Sequence, residues 1–115
     1  MKQTFRFGLS LIGGVILTCL SAFAQVTTSS ISGKITDAEG VVVGAPVLVI
    51  HQDSGTKYYS VTDKNGTYRV NNITPGGPYS VVIEMLGYRK VETNGIYASL
   101  GETASVNVKL EEEAL

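Results

Sequence analysis

Apolar and polar residues alternate with a period of two at both ends of the segment 31–110. Ile31, Gly33 and Ile35 alternate with polar neighbours at its start, and 106–110 repeats the pattern at its end. Successive side chains of a strand point to opposite faces, so this alternation is typical of strands with one buried and one wet face. No window places apolar residues convincingly at helical spacing, and we therefore predict an all-β fold.

Five further segments between these ends are predicted strands. The continuous apolar run at 47–50 is typical of a central strand, and 79–85 alternates like the terminal strands. Shorter candidates are 57–62, 67–70 and 88–92. Turn signals about every ten residues favour a β-sandwich over an open sheet, so we expect about seven short strands.

The turns between these strands carry recognisable chemistry. The pattern T-D-x-x-G occurs twice, at 36–40 and at 62–66. An aspartate at the first turn position accepts hydrogen bonds from backbone N–H groups ahead of it, and the closing glycine tolerates a positive φ. Asp37 and Asp63 are therefore predicted to be turn-forming residues.

Two other turns are marked by proline and glycine. The segment 74–78 predicts a rigid loop with Pro78 at the first position of a strand or at a sheet edge, because proline cannot donate to a ladder. Gly87 is expected at a tight reversal between two strands.

The first 24 residues are predicted to be a helical secretory signal peptide. A short basic start precedes an apolar stretch at 7–20, and 22–24 reads Ala-Phe-Ala, which predicts cleavage between Ala24 and Gln25. The apolar stretch is shorter than the roughly 20 residues that a membrane span needs, which disfavours an anchor. Lipidation at Cys19 is a second alternative, disfavoured by the bulky Thr18 before it.

Removal of residues 1–24 changes the composition. It leaves seven Lys and Arg against ten Asp and Glu, a net charge of −3, and no cysteine. An acidic domain of this kind lacks the basic surface that nucleic-acid binding requires. Because no disulfide can form, the apolar core alone must stabilise the domain.

The residue types that carry catalysis are sparse. His51 is the sole histidine, and Asp53 and Ser54 lie too close to it in sequence to converge readily on a triad. A calcium loop starting at Asp63 would lack its later carboxylates and its closing glutamate. No phosphate-binding loop, serine-hydrolase or zinc-protease motif occurs. We therefore expect no enzyme, no cofactor and no metal.

The six tyrosines divide into two groups. Three lie in or beside strands, where a ring packs on the core while its hydroxyl reaches water or backbone. These core candidates are Tyr68, Tyr79 and Tyr88. The other three, Tyr58, Tyr59 and Tyr97, are candidates for an exposed surface that stacks on sugar rings. Carbohydrate binding through this surface is the alternative function.

Five motifs in order resemble a known family. They are I31-S-G-K-I-T-D37-A-E-G40, G44-A-P-V47, T62-D-K-N-G-T-Y68-R-V, P75-G-G-P-Y79-S-V and G87-Y88. The chain resembles the carboxypeptidase-regulatory-like domain, a transthyretin-like fold grouped with carbohydrate-binding-like domains. The resemblance implies a seven-stranded antiparallel Greek-key β-sandwich.

The organisation that follows has four parts. They are the signal peptide 1–24, a short linker 25–30, the sandwich 31–110, and an acidic tail or the start of a truncated linker at 111–115. Glu111, Glu112 and Glu113 are expected to be solvated.

Three segments are similar in sequence to the N-terminal module of Oar-like TonB-dependent outer-membrane receptors. They are T74-P-G-G-P-Y79, L86-G-Y88 and G95-I-Y-A-S-L-G-E102. The resemblance implies a non-catalytic accessory module, from a truncated receptor or a stand-alone copy, in the periplasm or at the periplasmic face of the outer membrane. It implies a protein partner, either the receptor barrel or a periplasmic protein. The membrane would be reached only through the export signal or a missing downstream barrel. We expect β-augmentation at the short terminal strands.

Overall fold

A computed structural model describes residues 25–114. The predicted signal peptide, Cys19 and Ala24 therefore lie outside the described residues, and Gln25 is exposed at their start. No helix within 25–114 has the length and apolar character needed to cross a membrane.

The described residues form nine strand segments and no helix. The segments are β1 (Ser29–Asp37), β2 (Gly40–Val41), β3 (Pro46–His51), β4 (Lys57–Val61), β5 (Thr67–Ile73), β6 (Gly76–Ile83), β7 (Val91–Ala98), β8 (Thr103–Ser105) and β9 (Val108–Lys109).

The strands make two sheets. One has the order β4-β3-β6-β7, and in the other β1 is central, paired with β5 and β2 and also with β8 and β9. The chain crosses between the sheets after β2, β4, β5 and β7. The five successive portions β1-β2, β3-β4, β5, β6-β7 and β8-β9 therefore lie in alternate sheets. The predicted seven-stranded sandwich is confirmed, with β8 and β9 as one broken strand and β2 as a two-residue hairpin arm.

The last strand departs from the expected antiparallel pairing. Both β8 and β9 run parallel to β1, whereas every other strand pair is antiparallel. The chain enters β8 from β7, which belongs to the other sheet, and such a crossover can deliver a strand in either direction. The terminal strand β1 is therefore central, so it cannot supply the free edge that the sequence suggested.

The core fills the space between the sheets. Alternate residues of β1, β3, β5 and β6 point inward, as the period of two predicts. The side chains buried most completely belong to Tyr68, Tyr79, Ile31, Ile35, Ile73, Ile83, Leu110, Val47, Val49, Val81 and Ser80.

Two local predictions are wrong. The segment 88–92 was expected to be a strand, but β7 begins only at Val91 and continues to Ala98. Pro78 lies within β6 instead of at its start. The register of β6 and β7 shifts between Gly76 and Tyr79, so Pro78 lies where the regular ladder is interrupted and its missing N–H is tolerated.

The acidic segment after β9 is tied to the fold through its backbone. Tyr88 forms a β-bridge with Glu112, and the Arg89 N–H donates to the Glu111 carbonyl at 2.9 Å. The Glu113 N–H donates to the Gly87 carbonyl at 3.0 Å. The glutamate side chains are exposed, as expected, although their backbone is paired.

Candidate protein-contact site

Both aspartates of the repeated turn motif form turns. The Asp37 carboxylate accepts the N–H groups of Glu39 and Gly40 at 2.8 and 3.1 Å. Asp63 accepts those of Thr67 and Asn65 at 3.0 and 2.9 Å, and these bonds hold the pKa of this carboxyl below its ordinary value. One Asp63 oxygen thus accepts both N–H groups. Residues 25–114 contain no group of three or more acids, histidines or cysteines that could hold a metal ion.

His51 lies at the end of β3 and is part of a local turn network. Its Nδ1 is 2.6 Å from Ser54 Oγ, and its ring lies 4.7 Å from that of Tyr79. Ser54 Oγ is also 2.9 Å from Thr56 Oγ1. Asp53 is exposed, and no hydrogen bond joins it to the histidine ring. The described contacts thus give His51 a role in packing and turn formation.

The three tyrosines predicted to be core residues pack as expected. Tyr68 and Tyr79 are fully buried, and their hydroxyls donate to the carbonyls of Val106 and Thr74, each at 2.6 Å. The ring of Tyr88 packs against the core, but its hydroxyl donates to a side chain, the Asp37 carboxylate, at 2.7 Å.

The three tyrosines predicted to form a ligand surface do not share one face. Tyr58 and Tyr59 are consecutive in β4, so they point to opposite faces of the sheet; Tyr58 packs against the core while Tyr59 is 76% exposed. Tyr97 is 66% exposed on β7, at the opposite edge of the same sheet. With β3 and β6 between them, Tyr59 and Tyr97 are three strand spacings apart across the sheet, about 14 Å. They are also displaced along the strands, because the β7 residue in register with Tyr59 is Glu92, which precedes Tyr97 by five residues.

β4 is an edge strand with an unpaired side. The His51 N–H donates to the Thr56 carbonyl at 2.8 Å, and the Thr62 N–H donates to the Ala45 carbonyl at 3.0 Å. Pairing alternates along an antiparallel ladder, so the even-numbered residues of β4 bond to β3. The backbone groups of Lys57, Tyr59 and Val61 therefore point away from β3, where no described strand pairs with them.

An apolar groove lies beside this edge on the outer face of the sheet. Of its lining residues, only Glu84 is charged. Val61 is 60% exposed, and Leu48 is half-buried. The full lining is Pro46, Val47, Leu48, Tyr59, Ser60, Val61, Val82 and Glu84. A free edge and an apolar groove in one place form a surface suited to an extended segment of another protein.

Sequence reasoning found Tyr59 but missed the groove around it. Tyr59 and Val61 are two residues apart, so their side chains are expected on the same face of the predicted strand. Two large apolar residues on a face expected to be wet would have indicated this surface. Leu48 and Val82 gave no such pattern, because their neighbours are apolar as well.

The fold and this surface define a small two-sheet β-sandwich module. The model of the carboxypeptidase regulatory-like domain family matches residues 30–111, which include every strand except the first residue of β1. The chain belongs to this family. No curated protein matches the chain.

Solved structures share the fold at low sequence identity. The Bacillus anthracis TIE protein aligns with a TM-score of 0.63 and 24% identity over 75% of this chain and 17% of its own. A Bacteroides uniformis protein to which carbohydrate binding is ascribed aligns with 0.57 and 21% over 72% and 41%. GBS52, the minor pilin of Streptococcus agalactiae, aligns with 0.58 and 12% over 79% and 47%.

The same fold also occurs within enzymes. Hydroxyquinol 1,2-dioxygenase from Pseudomonas putida aligns with a TM-score of 0.60 and 14% identity over 80% of this chain and 59% of the enzyme. The chain therefore spans less than two thirds of each of these four proteins. Likeness at this identity shows the fold alone, and the family match identifies a carboxypeptidase regulatory-like β-sandwich domain.

Proposed function

We propose that this chain is an exported, non-catalytic accessory module that acts through protein contacts at the β4 edge. Its place would be the periplasm or the periplasmic face of the outer membrane, in association with a TonB-dependent nutrient receptor. The observation that carries the proposal is the unpaired side of β4 beside the apolar groove.

Charge and exposure support protein contact at this edge. β4 carries one charge, Lys57, and contains no proline or bulge, which are the usual means of blocking an edge. Tyr59 and Val61 are largely exposed, so a partner strand would bury apolar surface while it satisfies the free backbone groups. The export step is supported by the basic start, the apolar stretch and the Ala-Phe-Ala sequence before Gln25.

Fractionation tests the export step. We expect the full chain, expressed in a Gram-negative host, to be recovered from the periplasm or the outer membrane. Its measured mass should be that of a chain whose first residue is Gln25. Recovery from the cytoplasm with residues 1–24 still attached would contradict export.

Site-specific photo-crosslinking in cells that produce the protein tests the contact. A photoreactive residue at Val61 is expected to crosslink to an outer-membrane receptor chain identified by mass spectrometry. The matched control places it at the exposed Lys64, in the turn beyond β4. Crosslinking of the receptor from position 64 but not from position 61 would remove β4 as the contact strand.

A further inference from the structure

The turn between β4 and β5 presents an asparagine side chain on the surface. Four of the five residues 63–67 are exposed, Asn65 among them, and the fifth, Gly66, is buried against Val41. The Asn65 backbone N–H donates to the Asp63 carboxylate, but none of the hydrogen bonds within residues 25–114 involves the Asn65 carboxamide. No described hydrogen bond therefore competes with a reaction at the carboxamide nitrogen.

The residues around Asn65 form an acceptor sequence for an N-linked sugar. Asn65, Gly66 and Thr67 read N-x-T, the minimal acceptor for N-glycosylation in exported proteins. Asp63 adds a carboxylate two positions before the asparagine, which gives the form D-x-N-x-T that bacterial oligosaccharyltransferases recognise. Both turn N–H groups bond to Asp63 Oδ1. Because Oδ2 takes no part in these bonds, it can pair with a cationic group of such an enzyme.

The turn itself does not require this acceptor sequence. The first copy of T-D-x-x-G, at 36–40, accepts two backbone N–H groups with its aspartate, as the second copy does. At the positions of Asn65 and Thr67 the first copy has Glu39 and Val41. Turn formation thus explains the aspartate and the glycine of the second copy, but neither the amide nor the hydroxyl that an acceptor needs.

We propose that Asn65 is an N-glycosylation site that is modified in the periplasm. The co-substrate is an oligosaccharide joined through pyrophosphate to a polyprenyl lipid, and a separate membrane enzyme performs the transfer. Asn65 Nδ2 forms a bond to the anomeric carbon of the first sugar and loses a proton to solvent. The bond from that carbon to the pyrophosphate oxygen breaks, and the lipid pyrophosphate leaves. The proposal rests on the proposed export, because only an exported chain meets the enzyme and the lipid-linked donor.

Apolar residues beside the turn are suited to cover by the sugar. Val41 lies against Gly66, and the Gly44 N–H donates to the Thr62 carbonyl at 3.0 Å, which places Val43 next to the turn. Val41 and Val43 are both exposed. A sugar ring has an apolar face of C–H groups that can pack on these side chains. The modification thus covers an apolar patch with a soluble group.

A second N-x-T sequence supplies an internal control. Asn72, Ile73 and Thr74 have Val70 instead of an acid two positions before the asparagine. Ile73 is fully buried in β5 and lies opposite Ser29 of β1. This segment lacks both the carboxylate and the exposed turn, so Asn72 should stay unmodified.

Expression with a glycosylation system tests the proposal. The full chain is produced in a Gram-negative host that carries a bacterial oligosaccharyltransferase and its lipid-linked oligosaccharide, together with an established acceptor protein as a reporter. The intact mass of the periplasmic chain should increase by one oligosaccharide, and peptide mass spectrometry should locate the sugar on Asn65. Cells without the enzyme should yield the unmodified chain.

Two substitutions at Thr67 separate recognition from folding. Thr67→Val keeps the shape of the side chain and suits a strand, but it removes the hydroxyl and should abolish the mass increase. Thr67→Ser keeps the hydroxyl and should retain the mass increase. Asn65→Gln should remain unmodified, and Asn72→Gln should be modified like the unaltered chain. Urea unfolding of each variant verifies that the fold is retained.

Three outcomes overturn the proposal. They are a periplasmic chain without sugar in cells where the reporter is modified, a modified Thr67→Val variant, and modification at Asn72 instead of Asn65. Each of these leaves the proposed export and the proposed protein contact intact. Recovery of the chain from the cytoplasm would instead remove the export step, and the modification with it.

Discussion

Tyr68 lies directly opposite Gly33 in the ladder between β1 and β5. The absence of a side chain at Gly33 lets the tyrosine hydroxyl cross β1 and donate to the Val106 carbonyl at 2.6 Å. Val106 lies in the break between β8 and β9, and its own N–H donates to the Ser32 carbonyl at 2.8 Å. The pair therefore fixes the broken last strand against the centre of its sheet.

Gly33→Ala should be among the most destabilising single-methyl additions in this domain. A Cβ at this position would overlap the Val106 carbonyl oxygen and lie 2.9 Å from the Tyr68 hydroxyl, so the last strand must move. We expect a loss of about 3 kcal/mol or more in the free energy of unfolding, measured by urea denaturation. Ser32→Ala, one residue away, is the control and should change stability little. Equal stabilities of the two variants would contradict the close contact.

Stability should fall at alkaline pH because of Tyr68. Burial raises the pKa of its hydroxyl from 10.0 to about 12, so the folded state retains a proton that the unfolded state releases. The stabilisation is complete below pH 10 and is lost as the pH rises towards 12, at most about 2–3 kcal/mol. Unfolding measured at several pH values checks this, and Tyr68→Phe should show a weaker decline over the same range. An equal decline in that variant would assign the effect to the other tyrosines.

Tyr88→Phe should raise the pKa of Asp37. The pKa of this carboxyl lies below its ordinary value of 3.8. The main cause is the hydrogen bond from the Tyr88 hydroxyl, and the second is the hydrogen bond from the Glu39 N–H. A depressed carboxyl pKa contributes stability that is present above 3.8 and is lost as the pH falls through the folded value. An NMR titration of the Asp37 carboxyl carbon measures the shift. Tyr97→Phe should leave it unchanged, and an unaltered pKa in Tyr88→Phe would contradict the assigned cause.

The separation of Tyr59 and Tyr97 predicts that they do not act as one sugar platform. Calorimetry with a panel of oligosaccharides should show no binding that requires both rings. If an oligosaccharide binds, its affinity should fall in Tyr59→Ala or in Tyr97→Ala, but not in both variants. A sugar that loses affinity in both single variants would restore the alternative function.

Most strands could be predicted, and β7 shows why one was misplaced. Its residues alternate weakly, since Gly95 and Asn94 interrupt the apolar pattern at the register shift with β6. Short-range patterns report one face of a regular strand, and a bulge changes which residues share that face. A second register shift of the same two strands, between Gly76 and Tyr79, accommodates Pro78 inside β6.

The candidate site was only partly predictable for a related reason. Exposure of Tyr59 follows from its place in an alternating strand, but the edge position of β4 depends on which strands pair with which. The sequence suggested free edges at the terminal strands. The first of them, β1, is paired on both sides, whereas β8 and β9 at the other end of the domain pair with β1 alone. Nothing local to residues 57–61 distinguishes an edge strand from a central one.

The sequence by itself determined the all-β class, the two T-D-x-x-G turns, the core positions of Tyr68 and Tyr79, and the family. These depend on side-chain period, turn chemistry and local hydrogen bonds, which are short-range properties of the chain. Only the tertiary structure decided the strand order, the parallel pairing of β8 and β9 with β1, and the free edge at β4. Those features depend on contacts between residues far apart in sequence, such as Tyr68 with Val106 and Tyr88 with Asp37.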